Sequence, residues 1–198
     1  MKKNTLTILL FSIITSIAHA SNQVYIEQVG DSSTINITQE GTDNRIGTTL
    51  ENSYIGGGSN TVIIDQIGSG NELDFTVNGV ATDVTLSLNG NNNVQAIICG
   101  SLGTASCSGS SIVQNITGDS NTTTVNLGSG ANHSSTLNIT GDTNIVTHTS
   151  TSTGITSADV TVVGNTNTIG VTQSGTLTNS VTISSTGNNN VVSVVQSN

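Results

Sequence analysis

The sequence predicts an all-β protein, a β-solenoid of stacked strand–turn–strand repeats with about seven rungs and two loop insertions. Two observations predict it. Short runs carry apolar residues at alternate positions, and glycines close these runs at a near-constant spacing, as at Gly57, Gly68, Gly79 and Gly90. Apolar residues two apart lie on one face of a strand. A strand of about five or six residues and a turn of about four or five fill one period.

Residues 1–20 have the pattern of a signal peptide. A basic pair, Lys2 and Lys3, precedes an apolar segment of signal-peptide length. Small residues follow it and are suited to cleavage between Ala20 and Ser21. The sequence therefore predicts that the mature chain is exported.

Residues 21–198 are predicted to form a single solenoid domain. Two glycine intervals, from Gly41 to Gly57 and from Gly90 to Gly109, are longer than the rest and predict surface insertions at 47–56 and 99–108. The repeat is irregular at about 95–160, and the sequence leaves open whether this part joins the stack.

The composition excludes several classes of protein. The chain has 22 glycines, no proline, no tryptophan and only 8% charged residues, so it lacks the bulky aromatic core of an ordinary domain. Its net charge is −9, and without Lys2 and Lys3 only Arg45 opposes 12 acidic residues, which gives −11. A surface of this kind repels nucleic acid, so we expect no nucleic-acid partner.

Several repeats share the pattern Gly-x-x-Asn-x-h-x-h-x-Gln, in which h is aliphatic. Glycine reaches positive φ freely and asparagine tolerates it, so Gly-x-x-Asn predicts a turn that leads into a strand. The pattern occurs at Gly57–Gln66, Gly164–Gln173 and Gly187–Gln196, and Gly30–Gln39 has Ser33 in place of the asparagine.

Two architectures fit about fifteen such strands. An antiparallel sandwich pairs neighbouring strands as hairpins and needs a larger core. A solenoid stacks each unit on the next but one, so that like residues form ladders about 4.8 Å apart. The recurring amides favour the solenoid, because a primary amide can both donate to and accept from an identical neighbour.

Four stretches carry a resemblance to a known family. Val24–Gly30 (VYIEQVG), Ile35–Asn44 and Ile63–Asn71 resemble the curlin repeat of bacterial curli fibres, as does the C-terminal Gly187–Gln196. The resemblance covers residues 24–46, 57–77 and 164–196. Carried over position by position, it implies the amyloid-ladder residues Gln28, Gln39, Gln66, Gln173, Gln196, Asn44, Asn60, Asn71, Asn167 and Asn190.

The resemblance also implies a function. It implies a secreted structural protein that self-assembles into extracellular amyloid fibres of a bacterial biofilm matrix, with roles in adhesion and surface colonisation. The partners it implies are further copies of the chain, a nucleator subunit and an outer-membrane curli secretion machinery. Whether the chain is a main subunit or a nucleator stays open.

The ends of the predicted solenoid favour polymerisation independently of the resemblance. Residues 191–196 form a β-branched, uncharged strand pattern near the end of the chain, and the first strand pattern begins at Val24. An uncovered end rung presents unpaired backbone groups to which another chain can add. End-to-end addition would continue the ladders from one molecule to the next.

Monomeric alternatives remain. The insertions could carry recognition loops of a surface adhesin. An ice-binding solenoid would need Thr-x-Thr at one constant place in successive rungs. The candidate pairs lie at different distances from their repeat glycines: Thr122 and Thr124, Thr147 and Thr149, and Thr166 and Thr168.

Few residues suggest chemistry. Cys99 and Cys107 are candidates for a local disulfide in an exported protein. The mature histidines, His133 in a predicted turn and His148 on a predicted strand, lack a clear catalytic arrangement. We therefore expect no enzyme, no cofactor, no metal site and no small-molecule substrate.

Overall fold

The computed structural model describes residues 22–27, 32–47, 53–54, 56–57, 59–76, 82–98, 111–127 and 132–198. These residues form fifteen strands in two parallel sheets, and consecutive strands alternate between the sheets. The β-solenoid predicted from the sequence is therefore confirmed. Each strand pairs with the next but one along the chain, as a solenoid requires.

One sheet has eight strands and the other has seven. The eight-stranded sheet consists of β1 (Gln23–Val24), β3 (Arg45–Ile46), β5 (Glu72–Thr76), β7 (Val94–Ile98), β9 (Thr122–Leu127), β11 (Ile145–Ser150), β13 (Thr168–Ser174) and β15 (Val191–Ser197). The seven-stranded sheet consists of β2 (Thr34–Glu40), β4 (Thr61–Ile67), β6 (Asp83–Asn89), β8 (Ser111–Thr117), β10 (His133–Thr140), β12 (Thr156–Val163) and β14 (Asn179–Thr186).

The core lies between the two sheets and is one side chain deep on each side. Inward positions of both sheets are aliphatic in most turns, and these buried residues form a single cluster, for example Ile64, Leu86 and Val125. Outward positions alternate with them and are mostly Thr, Ser and Asn. Short β-branched side chains fill so thin a core without the large aromatic residues that the composition lacks.

The two edges of the solenoid differ. At one edge, which we call the tight-turn edge, each described strand of the seven-stranded sheet from β2 to β14 is followed by a four-residue Gly-x-x-Asn turn into the eight-stranded sheet. At the opposite, variable edge the connections differ in length. The interval from Gln23 to its partner Arg45 is shorter than the intervals from Arg45 to Glu72 and from Val94 to Thr122. The predicted insertion at 99–108 lies outside the described residues. Of the one predicted at 47–56, four residues are described, and Tyr54 among them pairs with Glu27 and Thr76 in the eight-stranded sheet.

Strands β8 to β12 stack in the same way as the others, so the described residues of the irregular part join the solenoid. One expectation was wrong. His133 was placed in a turn, but it is the first residue of β10 and is only 2% exposed. The backbone of β10 pairs with β12 from this residue onward, and this pairing holds the side chain against the core.

The glycine of each tight turn except the last is required by the turn stacked on it. Gly141 has φ 127°, and a Cβ added there would clash with the carbonyl oxygen of Gly164 in the next turn. Gly170 lies in β13, and a Cβ there would have no atom within 4 Å. The two positions separate a glycine that the stack needs from one that it does not.

We expect Gly141→Ala to lower the free energy of unfolding by more than about 1–2 kcal/mol, because strain at positive φ adds to a backbone clash. Gly170→Ala is the matched control and should leave stability unchanged or slightly raised. Urea denaturation followed by circular dichroism measures both. Equal stability of the two variants would contradict this account of the turn.

Candidate functional site

A ladder of asparagines runs along the tight-turn edge. The last residue of each turn is an asparagine, and its backbone N–H donates to the Oδ1 of the asparagine one turn before it, at 2.9–3.1 Å. The members are Asn22, Asn44, Asn71, Asn93, Asn121, Asn144, Asn167 and Asn190. The ladder therefore joins every turn of the described stack to its neighbours.

Asn144 shows the bonds made by an interior member. Its Oδ1 accepts from the backbone N–H of Asn167 at 2.9 Å and from the Nδ2 of Asn167 at 3.0 Å. Its Nδ2 donates to the Oδ1 of Asn121 at 3.0 Å and to the carbonyl oxygen of Gly164 at 2.8 Å. The side chain is fully buried. Every polar atom of this amide is therefore satisfied by the adjacent turns, so its burial carries little penalty.

Four of the predicted amides, Asn44, Asn71, Asn167 and Asn190, lie in this ladder. Sequence reasoning missed the other members. Asn22 has no glycine three residues before it. The remaining three have no glutamine either five residues before or six residues after the asparagine: Asn93, Asn121 and Asn144. The Gly-x-x-Asn spacing alone could have found these three, since Gly90, Gly118 and Gly141 precede them.

Asn60 lies elsewhere. It precedes β4 at the variable edge, and its Nδ2 donates to the carbonyl oxygens of Gly56 and Gly57 in its own loop. The Gly-x-x-Asn pattern of Gly57–Asn60 does not place it on the tight-turn edge, because the two edges of the solenoid can carry the same short pattern. The assignment of Asn60 to the same ladder as Asn44 is therefore corrected.

The predicted glutamines form two separate pairs. Gln39 donates to the Oε1 of Gln66 at 2.9 Å in the seven-stranded sheet, near the N-terminal end of the stack. Gln173 donates to the Oε1 of Gln196 at 3.0 Å in the eight-stranded sheet, near the C-terminal end. Beyond Gln66, the aliphatic Leu88 continues the same column. The glutamines therefore pair near the ends of the stack, whereas the asparagines run its whole length.

Each glutamine pair also bridges the two sheets. The Nε2 of Gln66 donates to the carbonyl oxygen of Arg45 at 3.3 Å, and the Nε2 of Gln196 donates to that of Ser180 at 2.7 Å. In both cases the side chain crosses the core to the opposite sheet. These bonds tie the two sheets together at positions where the core is polar.

A second polar column lies on the outer side of the tight turns. The Oδ1 of Asp119 accepts from the backbone N–H of Asn91 at 2.7 Å, and the Oδ1 of Asp142 accepts from that of Asp119 at 2.8 Å. Asn165 and Asn188 continue the same arrangement. The aspartates therefore act here as acceptors for the turn backbone.

His148 is fully buried between the sheets. Its Nδ1 lies 2.8 Å from the Oγ of Ser135 on β10, and its Nε2 lies 2.9 Å from the Oε1 of Gln173 on β13. The amide oxygen can only accept, so Nε2 carries the proton and Nδ1 accepts from the serine. Burial lowers the pKa of His148, with a further lowering from His133, although the bond to Gln173 acts in the opposite direction. Ser135 and His148 are both 0% exposed, which leaves this pair no opening to a substrate.

Some predicted sites fall outside the described residues. Gln28, the disulfide candidates Cys99 and Cys107, and the cleavage position Ala20–Ser21 all lie there. Within the described ranges, no three residues among His, Cys, Asp and Glu come together in a way that could hold a metal ion. The same part of the chain contains no helix with the length and apolar character to cross a membrane.

Comparison with known proteins gives one family match. The model of the curlin associated repeat matches residues 20–41, which include β1 and β2. No curated protein and no solved structure gives a significant match. The chain therefore carries a curlin associated repeat in its first turn, as the resemblance of Val24–Gly30 predicted. This repeat and the solenoid fold are structural in type rather than enzymatic.

We expect Asn144→Ala to lower the free energy of unfolding by at least about 2 kcal/mol, since it removes the partner of the Asn167 backbone N–H and Nδ2 and of the Gly164 carbonyl oxygen. Asn138→Ala is the control, because the Oδ1 of Asn138 accepts one exposed bond from Asn115 on the outer surface. Its cost should stay within about 0.5 kcal/mol. Denaturation curves that coincide for the two variants would exclude a dominant role for the ladder.

We expect the stability of the fold to fall as the pH drops below about 6.5, the ordinary pKa of histidine. The pKa of His148 is lowered in the folded state, so the unfolded chain binds a proton that the folded chain excludes. The loss grows by up to about 1.4 kcal/mol per pH unit. His148→Gln retains polar groups at this position but does not titrate.

The comparison is the slope of unfolding free energy between pH 7.5 and pH 5 for the parent and the His148→Gln variant. All other titratable groups are common to the two proteins, so only the difference in slope reports on His148. A slope that is equal or steeper in the variant would contradict the prediction.

Proposed function

We propose that this chain is a secreted structural protein that self-assembles end to end into extracellular, curli-like amyloid fibres of a bacterial surface. Two observations support the proposal: the curlin associated repeat at residues 20–41, and a core that is covered everywhere in the described stack except at its two ends. In this role the fibre contributes to a biofilm matrix, adhesion and surface colonisation.

The observation that carries the proposal is the exposure of the end turns. The core residues that remain only partly buried are Ile26, Ile35 and Ile37 at one end and Val192 and Val194 at the other. They pack on the buried cluster from one side and have no described turn on the other side. A stacked second copy would bury apolar side chains at both ends and pair the free strand edges of β14 and β15.

The last tight turn, Gly187–Asn190, is open on its outer side. A Cβ added at Gly164 would clash with the carbonyl oxygen of Gly187, whereas a Cβ added at Gly187 would have only the side chain of Asn190 within 4 Å. The turn thus keeps the glycine geometry of the interior turns although nothing in the described chain lies against it. A further turn can stack there in the same manner.

The first complete turn of a second copy, β2 to β3, has matching side chains for this position. In the regular register of the tight turns, Asn190 meets Asn44 and continues the asparagine ladder. The aliphatic Val192 then meets Ile46 in the eight-stranded sheet. In the seven-stranded sheet, β14 pairs with β2, so that Val181 meets Ile35 and Ile183 meets Ile37. Both sheets thus join aliphatic residues to aliphatic residues in a single register.

In a single molecule β1 pairs with the edge of β3 on which β15 of another copy would stack in this register. It is a strand of only two residues, Gln23 and Val24, and both are exposed. The eight-stranded sheet has one strand more than the other. Both sheets of one copy can therefore pair with both sheets of the next copy only if β1 detaches from β3. The seven-residue β15 of another copy then takes its place on β3. Repetition of this step gives an open filament rather than a closed ring.

The repeat also suggests further partners. From the curlin associated repeat we propose two such partners, a nucleator subunit and an outer-membrane curli secretion machinery. A nucleator would supply the first turn onto which β2 and β3 of this chain can stack.

We expect the mature chain to form fibrils that bind thioflavin T and give the cross-β reflection at about 4.7–4.8 Å. Val192→Asp should slow elongation by at least about tenfold, because it places a carboxylate in the apolar contact between copies. Ser184→Asp is the control. It adds the same charge to the exposed outer side of the neighbouring strand β14, so its elongation should match the parent.

Elongation is measured from sonicated parent seeds with monomer of each variant. A parent chain that stays monomeric at tens of micromolar would overturn the proposal and favour a monomeric adhesin. Equal elongation of both variants would exclude the C-terminal turn as the growing surface. Deletion of residues 187–198 is a weaker test, because it exposes β13, whose inward Ile169, Val171 and Gln173 resemble those of the strand removed.

A further inference from the structure

One outer surface of the solenoid lacks charge over most of its length. The strands β7, β9, β11, β13 and β15 contain no acidic residue, lysine or arginine. Their outward side chains form what we call the neutral face. The described acidic residues lie elsewhere, towards the N-terminal end of the same sheet, in the tight turns, and on the opposite sheet.

The outer surface of the seven-stranded sheet differs in this respect. Four acidic residues occur along its strands: Glu40, Asp65, Asp83 and Asp159. We call this surface the acidic face. Because the mature chain has only Arg45 against 12 acidic residues, two copies that approach through acidic faces repel each other.

The neutral face has the side chains of a dry sheet-to-sheet contact. Outward positions in its middle are mostly threonine, and Val94, Ile98 and Ile145 are 38–47% exposed. The central column is small, with Ala96, Thr124, Thr147, Gly170 and Ser193 in successive strands. Two flat sheets with short β-branched side chains can interdigitate at a separation of about 10 Å.

The area of the neutral face limits how stably two single molecules can pair through it. Five strands about 4.8 Å apart, with about five residues each, give roughly 400 Å² of flat surface. A stable interface buries about 800 Å² on each partner. One pair of neutral faces is therefore too small for a stable dimer, whereas a filament repeats the face once per molecule and adds the contacts together.

We propose that the neutral face is the surface through which two filaments of this chain pair side by side, neutral face against neutral face. This inference rests on the proposed function, since it requires end-to-end filaments. The occupant is a second copy of the chain, because a surface without charge is where equally acidic molecules can meet without burying like charges. Lateral pairing then follows polymerisation and does not precede it.

The test compares two Thr→Glu variants of the neutral face with the parent and with a control. Thr147→Glu places a carboxylate at the centre of the neutral face, and Thr172→Glu places one at an exposed position on β13. The control is Thr85→Glu. It places the same group on β6, at an outward position of similar exposure on the acidic face, where its strand neighbours are Ile63 and Val113.

Filament mass is followed by thioflavin T and sedimentation, and the number of filaments per fibril is counted by electron microscopy. We expect Thr147→Glu and Thr172→Glu to form filament mass equal to the parent but mostly single filaments. The bundled fraction should fall at least about fivefold, because each contact would bury a carboxylate. Thr85→Glu should bundle like the parent. Sedimentation of fresh monomer should give no dimer.

Three results would overturn the inference while leaving end-to-end assembly intact. These are bundling of both neutral-face variants at the level of the parent, an equal loss of bundling in Thr85→Glu, and a stable dimer of unpolymerised chain. If a neutral-face variant forms no filaments, the other one decides. A parent that forms no filaments at all overturns the proposed function and this inference with it.

Discussion

The asparagine ladder at the tight-turn edge is the interaction on which the rest of the structure depends. Each interior amide is bonded to the turn before it and to the turn after it, so it fixes the distance and the register between successive turns. With the register fixed, the inward residues of every strand align in columns and the outward ones align as well. A shift by one residue would turn the aliphatic side chains outward and bury the threonines. The core and both outer faces therefore follow from one repeated amide.

The core achieves its cohesion in two different ways along the stack. Most turns bury aliphatic side chains, while others bury polar groups that bond across the sheets, such as Thr123 with Gln114 and Ser135 with His148. In the middle of the stack, not every buried polar group has a hydrogen-bond partner. Within the described chain, both side-chain polar atoms of Gln95 and the Nε2 of Gln114 are buried without a hydrogen-bond partner. Each such atom costs about 1–3 kcal/mol, so these atoms lower the stability of the turns around β7 and β8.

The spacing of the repeats, together with the recurring amides, predicted the solenoid and the pairing of each strand with the next but one. These features depend on residue spacing, and spacing is visible in a sequence. The site was predicted less completely. Asn44 was found because Gln39 lies five residues before it, and Asn167 because Gln173 lies six residues after it. Asn93 and Asn144 were missed because they have no glutamine at either position. Asn60 carries the same local pattern as Asn44, and only the three-dimensional path of the chain shows that it lies at the other edge. The buried polar network could not be predicted for a related reason. The tight turn joins β10 to β11, and the contact between Ser135 and His148 depends on which inward residue of one strand faces which residue of the other across the core.

The third residue of each tight turn has a consequence for how the chain acquires its structure. Thr143 and Thr166 have φ of 58° and 59°, a conformation that β-branched residues adopt only under strain. An isolated repeat has no neighbour whose hydrogen bonds could offset that strain, so it does not form the turn by itself. A preformed turn supplies the bonds in advance and lowers the barrier for the next one. Folding is therefore expected to spread as a front from turn to turn, with a slow first step and fast later ones.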